Sequence, residues 1–422
     1  MRYLMFFIYF SSIITLVMRI YHVLLLLLLA VSHSILFAQI MAKKPDHQLL
    51  AEITSIDSDD FYDLKFLDTL VLNKRVVFLG ESSHYVADFN TLKYRLIRYL
   101  HQHHGFEVVA FESGVNDCGW ANLMKDSLTD IEMLAGSVKG IWRVRENLAL
   151  MNYIRSNRLE LAGVDATGTG YFDIYQKKLL QTLKDPSSFR ELFKIDSVYN
   201  REYAGPKFLG VRTPKLDSIA TVLRNQYNNI DYKLADKAND ERNMLLRKAI
   251  QVRLRALQSL DNEDITRSGH EFREMQMAGN LQFLLDTLYR GKKIIVWAHN
   301  GHISKVGRGS TKAMSIPKYL PQSLKDQSYV LGLNAVNGEF APNRRGEAQP
   351  IKLKNKAFEK VYEGFDTKGI FIPATQIRDK KYYSEILTYY KRQERGRVRE
   401  FYDGVILLKD VKATKILYPK DL

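Results

Sequence analysis

Cysteine is all but absent: Cys118 stands alone in 422 residues. No intramolecular disulfide and no cysteine metal cluster can form, so stability rests on the core. The common nucleophile and phosphate motifs are missing too. Gly80-Glu81-Ser82-Ser83-His84 is not the G-x-S-x-G elbow, and Cys118 lies in a segment without a placed base. The glycines of Ala162-Gly163-Val164-Asp165-Ala166-Thr167-Gly168-Thr169-Gly170 match neither the P-loop nor the dinucleotide spacing. They read as a strand-to-helix turn with Asp165 as a site-lining acid. There is no internal repeat, no low-complexity linker and no nucleic-acid motif. The formal charge of +15, densest in the C-terminal third, is therefore expected to be a basic solvated face rather than a nucleic-acid surface.

What is present begins with a leader. Met18-Arg19 precedes the apolar run Val23 to Val31, and Ser34-Ile35-Leu36-Phe37-Ala38-Gln39 supplies a small residue before a cut after Ala38. This is the layout of a signal peptide over 1–38, and it predicts export to the periplasm or another extracytoplasmic space. An uncleaved membrane anchor is the rival reading, and in it the leader is the chain's one membrane contact. A second apolar run, Tyr3 to Val17, implies either a start at Met18 or a long leader. Residues 39–422 then form the catalytic domain, and loss of Arg2 and Arg19 takes its formal charge from +15 to +13.

Short apolar runs recur at Val76–Leu79, Glu107–Phe111, Leu159–Val164, Lys293–Trp297, Tyr329–Leu333, Gly369–Ile372 and Gly404–Leu408. Helical stretches separate the early ones. This rhythm predicts an α/β fold, a mostly parallel central sheet flanked by helices. Between Tyr171 and Gly291 strand signals fade, while 233–260 and 273–289 carry helical periodicity. We read 171–291 as a large helical insertion able to roof the site. In the helix after the first strand, Phe89, Leu92, Leu96 and Leu100 share one arc, with Arg95 and Arg98 well away from it. Lys93 falls inside that arc, so it must snorkel, pair with an acid or point into a cleft.

The chemistry-bearing residues cluster after strands. Glu81 and His84 follow the first, Glu112 the second, and His299 and His302 follow Lys293–Trp297. Parallel sheets place ligands in the crevice beyond such carboxyl ends, which predicts one shared site. With no nucleophile motif, attack by activated water is the simplest hydrolytic scheme: a neutral imidazole takes its proton, a carboxylate fixes the tautomer, and cations or N–H groups stabilise the oxyanion. The same carboxylates and imidazoles also suit Zn²⁺ or Mn²⁺. A divalent metal is thus possible, though no cofactor is required in the leading scheme. A non-catalytic envelope protein that binds a porphyrin or glycan is a third reading.

Several blocks resemble the erythromycin esterase family: Leu79-Gly80-Glu81-Ser82-Ser83-His84, Leu92-Lys93-Tyr94-Arg95-Leu96-Ile97, His104 to Glu112, Arg273 to Leu281, Val296 to His302 and Tyr402 to Leu408. They stand in the family's order from about residue 75 to the C-terminus. The resemblance implies an α/β fold with a helical insertion and hydrolysis of a small-molecule ester or lactone, macrolide lactones being the family's named substrates. It matches His84 to the general base, Glu81 and Glu112 to supporting carboxylates, and His299 and His302 to the late pair, with Lys93 at a position where a basic residue is common. Asp165, Arg273 and Asn280 are the expected substrate-binding residues.

Overall fold

A computed structural model describes residues 18, 50–165, 191–199, 214–236, 240–258, 265–306, 315–341, 346–353, 357–377, 382–384 and 394–417. Apart from Met18, the leader expected over 1–38 lies outside these residues, as do 166–170 of the expected turn and 171–190, 200–213, 237–239 and 259–264 of the expected insertion. No helix among the described residues is long and apolar enough to cross a membrane.

Eight strands make the central sheet: β1 (Ala51–Ile53), β2 (Val76–Leu79), β3 (Phe106–Gly114), β4 (Glu160–Asp165), β5 (Lys293–Trp297), β6 (Ser328–Ala335), β7 (Gly369–Pro373) and β8 (Gly404–Leu408). Their order is β1-β7-β8-β6-β2-β5-β3-β4. From β8 to β4 every pairing is parallel; β7 runs antiparallel to β8, and β1 antiparallel to β7. All seven strands expected from apolar runs are present, and β1 is added at the edge. β2, β6 and β8 are buried at every position, as expected of strands covered on both faces.

Helix α1 (Ala87–His104) links β2 to β3 and buries Phe89, Leu92, Leu96 and Leu100 as its phase requires. It stops at Gly105, whose φ of +66° is a left-handed cap that favours glycine. Arg95 departs from the expectation, being buried rather than solvated. The segment after β1 folds over it, and its guanidinium donates to Ser58 O at 3.0 Å, Ser55 O at 2.9 Å and Asp63 Oδ1 at 2.6 Å. After β3 come α2 (Val115–Leu123), α3 (Asp130–Ser137) and α4 (Leu148–Ser156).

Between β4 and β5 stand α5 (Pro214–Ala235), α6 (Glu241–Gln258) and α7 (Ile265–Phe283). α5 and α6 build a second apolar cluster, with Leu223, Tyr227, Leu246 and Ile250 packed on Trp120 of α2. α7 packs against β4 and so reaches the sheet's carboxyl edge.

Candidate active site

The strand order decides the site. β5 pairs with β2 through Trp297 and Leu79, and with β3 through Trp297 and Phe111. The strand that carries the late histidines therefore stands between the two that carry Glu81 and Glu112. Four adjacent carboxyl ends thus deliver Glu81, His299, Glu112 and Asp165 to one crevice. A one-residue bulge in β3 opposite β4, between Phe111 and Gly114, spans Glu112 and Ser113. Gly80 lets the short helix α8 (Asn300–Ile303) come close, since a Cβ there would collide with Asn300 Oδ1 and Ile303 Cδ1.

His84 Nδ1 lies 3.0 Å from Glu81 Oε1. That carboxylate is held from two further sides: Trp142 Nε1–H donates to Oε1 at 3.0 Å, and the Lys93 amino group, pushed by burial well below the usual lysine range, rests against Oε2. Glu81 is buried, and by accepting on Oε1 it fixes the proton of His84 on Nδ1; among the described residues no group meets the Nε2 lone pair. Burial pushes the His84 imidazole down to about 4, Glu112 opposing and the cations His302, Lys139 and Arg273 adding to the effect. His84 is neutral at pH 7.

His302 lies in the opposite environment. Its Nδ1 meets Glu274 Oε1, its Nε2 stands 3.1 Å from Glu112 Oε1, and Arg273 Nη1 is 3.2 Å from Nε2. Two carboxylates outweigh one guanidinium. Against the cost of burial, Glu112 and Glu274 raise His302 to about 9, so it carries charge at neutral pH. Arg273 is tied down in turn, donating to Glu112 Oε1 at 2.7 Å and from Nε to both Asp165 oxygens at 3.2 Å. Burial notwithstanding, His302 and Arg273 hold the Glu112 carboxyl well below its usual range, and Arg273 and Lys139 lower that of Asp165.

His299 serves the backbone. It caps α8, its Nδ1 accepting from Gly301 N–H at 3.0 Å, and its Nε2 is 3.3 Å from Ser82 O, while its own N–H donates to Glu112 Oε2 at 3.1 Å. It thus ties the two clusters together. Lys93, buried behind Glu81 and 4.5 Å above the Trp297 ring, pairs with an acid rather than facing the cleft. Asn280, also fully buried, donates to Val164 O at 2.9 Å, so it supports β4 and does not line the crevice. Trp142, Lys139 and Glu274 were not singled out in the sequence. The signal for Glu274 was its place beside Arg273; for Trp142 it was the rule that a buried indole N–H seeks an acceptor.

A divalent metal fits this donor set poorly. Glu81 is paired with Lys93, Glu112 with Arg273 and His302, and Asp165 with Arg273 and Lys139. Among the described residues no group of three His, Cys, Asp or Glu side chains is placed to hold one ion.

Residues 101–411 match the family model described as erythromycin esterase. A protein of Bacillus subtilis (strain 168) with a provisional hydrolase name, YbfO, is 25% identical over 84% of this chain and 88% of its own. Erythromycin esterase type II of Escherichia coli is 21% identical over 85% of this chain and 95% of its own. In fold, the chain is similar to a succinoglycan biosynthesis protein (TM-score 0.71, 18% identity, 89% of this chain and 97% of that one). It is likewise similar to a mutant of the erythromycin esterase EreC in its open conformation (TM-score 0.65, 17% identity, 88% and 100%). With the family model spanning most of the sequence, the chain belongs to the erythromycin esterase family of hydrolases.

Proposed function

We propose that the protein hydrolyses carboxylic esters or lactones, with His84 as general base for an attacking water. One observation carries the reading. Of the six ring nitrogens of His84, His299 and His302, five meet a protein partner, and among the described residues Nε2 of His84 meets none. The water oxygen bonds to the acyl carbon as its proton passes to His84 Nε2, and Glu81 stabilises the imidazolium that forms. The tetrahedral oxyanion faces the positive charge of His302 and Arg273, and its collapse expels an alkoxide that takes the proton from His84. General-base catalysis by a placed imidazole supplies about 10²–10⁴-fold in rate, the donors opposite a comparable factor.

The paired state of every carboxylate favours the metal-free scheme. The apolar leader over 1–38 supports export, which N-terminal sequencing of the mature protein tests. For the chemistry, the purified protein is incubated with erythromycin, simple lactones and aryl esters, and the products are weighed by mass spectrometry. Gain of one water that disappears in His84→Ala is the expected result; hydrolysis at the wild-type rate in that variant overturns the role of His84.

A further inference from the structure

The charges around the crevice are layered. The acids lie at the back: Glu81 is 3% exposed, Glu112 3%, Asp165 1% and Glu274 4%. The cations lie in front, with side chains 24% exposed at Arg273, 20% at Lys139 and 19% at His302. A ligand entering from solvent therefore meets positive charge, with the compensating carboxylates buried beneath.

The scheme above gives Lys139 no task, yet its position is built. Its backbone N–H donates to Ser113 Oγ at 3.0 Å, beside Glu112 in the β3 bulge, and its ammonium rests on Asp165. Three residues on, Trp142 packs edge-on against the His84 ring at 5.1 Å between centroids. Lys139 thus begins the segment that walls the base. Asp165 carries two cations, Lys139 and Arg273, and shares the second with Glu112. Both cations also help to keep His84 uncharged, so their field reaches the reacting centre.

We propose that Lys139 and Arg273, seated together on Asp165 at the edge of the crevice, receive a carboxylate of the substrate, so that the enzyme selects esters or lactones bearing a carboxylate away from the scissile bond. This rests on the hydrolase reading and deepens it. A carboxylate can accept from the ammonium of Lys139 and from Nη1 of Arg273, whose Nε and Nη2 are engaged by Asp165 and Glu112, and it meets these cations without displacing Glu112 or Glu274 from His302.

The test uses two aryl esters with the same scissile bond, 4-nitrophenyl hydrogen glutarate and its methyl ester. The wild-type protein is expected to favour the acid by about tenfold or more in kcat/KM, chiefly through KM and less so at high salt. Lys139→Gln is expected to lower the acid-to-methyl-ester ratio about tenfold, and Lys139→Arg to restore most of it. A ratio near one in the wild type, or one that Lys139→Gln leaves in place, overturns the proposal. Calorimetric titration with monomethyl and dimethyl glutarate provides a readout without turnover. Lys139-dependent binding of the acid with no hydrolysis of either aryl ester defeats the hydrolase reading and leaves the anion subsite standing. Equal hydrolysis of both esters does the reverse.

Discussion

Replacing Glu274 by Gln removes one of the two carboxylates that hold His302 as an imidazolium, at nearly constant volume. The climb of His302 from 6.5 to about 9 corresponds to roughly 3 kcal/mol in favour of the charged ring. Glu112 at 3.1 Å and Glu274 on the other nitrogen supply it, while burial works against it. If each contributes about half, loss of Glu274 removes on the order of 1–2 kcal/mol, which is about one pH unit. The sign follows from removing an anion: the charged ring is less favoured and gives up its proton at lower pH. In a profile of kcat/KM the wild type should rise through about 4, as His84 becomes neutral, and fall near 9, as His302 loses charge. In Glu274→Gln the alkaline limb should move down by about one unit while the acid limb stays. An unmoved alkaline limb refutes the assignment of His302, and an acid limb that moves in its place refutes the separation of the two histidines.

Two further outcomes follow from the same contacts. Lys93→Met leaves the buried Glu81 Oε2 without its partner, His84 and Trp142 remaining on Oε1, and should lower stability by about 3–5 kcal/mol in denaturant unfolding, a loss below about 1 kcal/mol contradicting the buried pair. Exhaustive dialysis against a chelator should leave kcat/KM where it was; loss restored by zinc or manganese would favour the metal-dependent alternative.

Much of the scaffold was legible because buried parallel strands are short, unbroken apolar runs, and seven of the eight sheet strands are such runs. The phase of α1 likewise marked Lys93 as a lysine in need of an acid. The order of the strands was not legible. Nothing near Lys293–Trp297 signals that this strand enters between two strands formed some 200 residues earlier, yet that insertion makes the site. Helical phase misplaced Arg95 because the carbonyls that receive it, at Ser55 and Ser58, come from a distant segment with no pattern of its own. His299 and His302, three residues apart after the same strand, read alike in the sequence. The backbone claims one and two carboxylates claim the other, and spacing carries no information about partners. Glu274 and Lys139 stayed hidden for the same reason, since each acts through a contact with an element remote in sequence.

Nitrogen-15 NMR of the histidine-labelled protein at pH 7 reads the central claim without a substrate, since it reports which ring nitrogens carry protons. The account predicts His84 neutral with its proton on Nδ1 and a bare Nε2, and His302 protonated on both nitrogens. A doubly protonated His84, or a neutral His302 in the same sample, would contradict it.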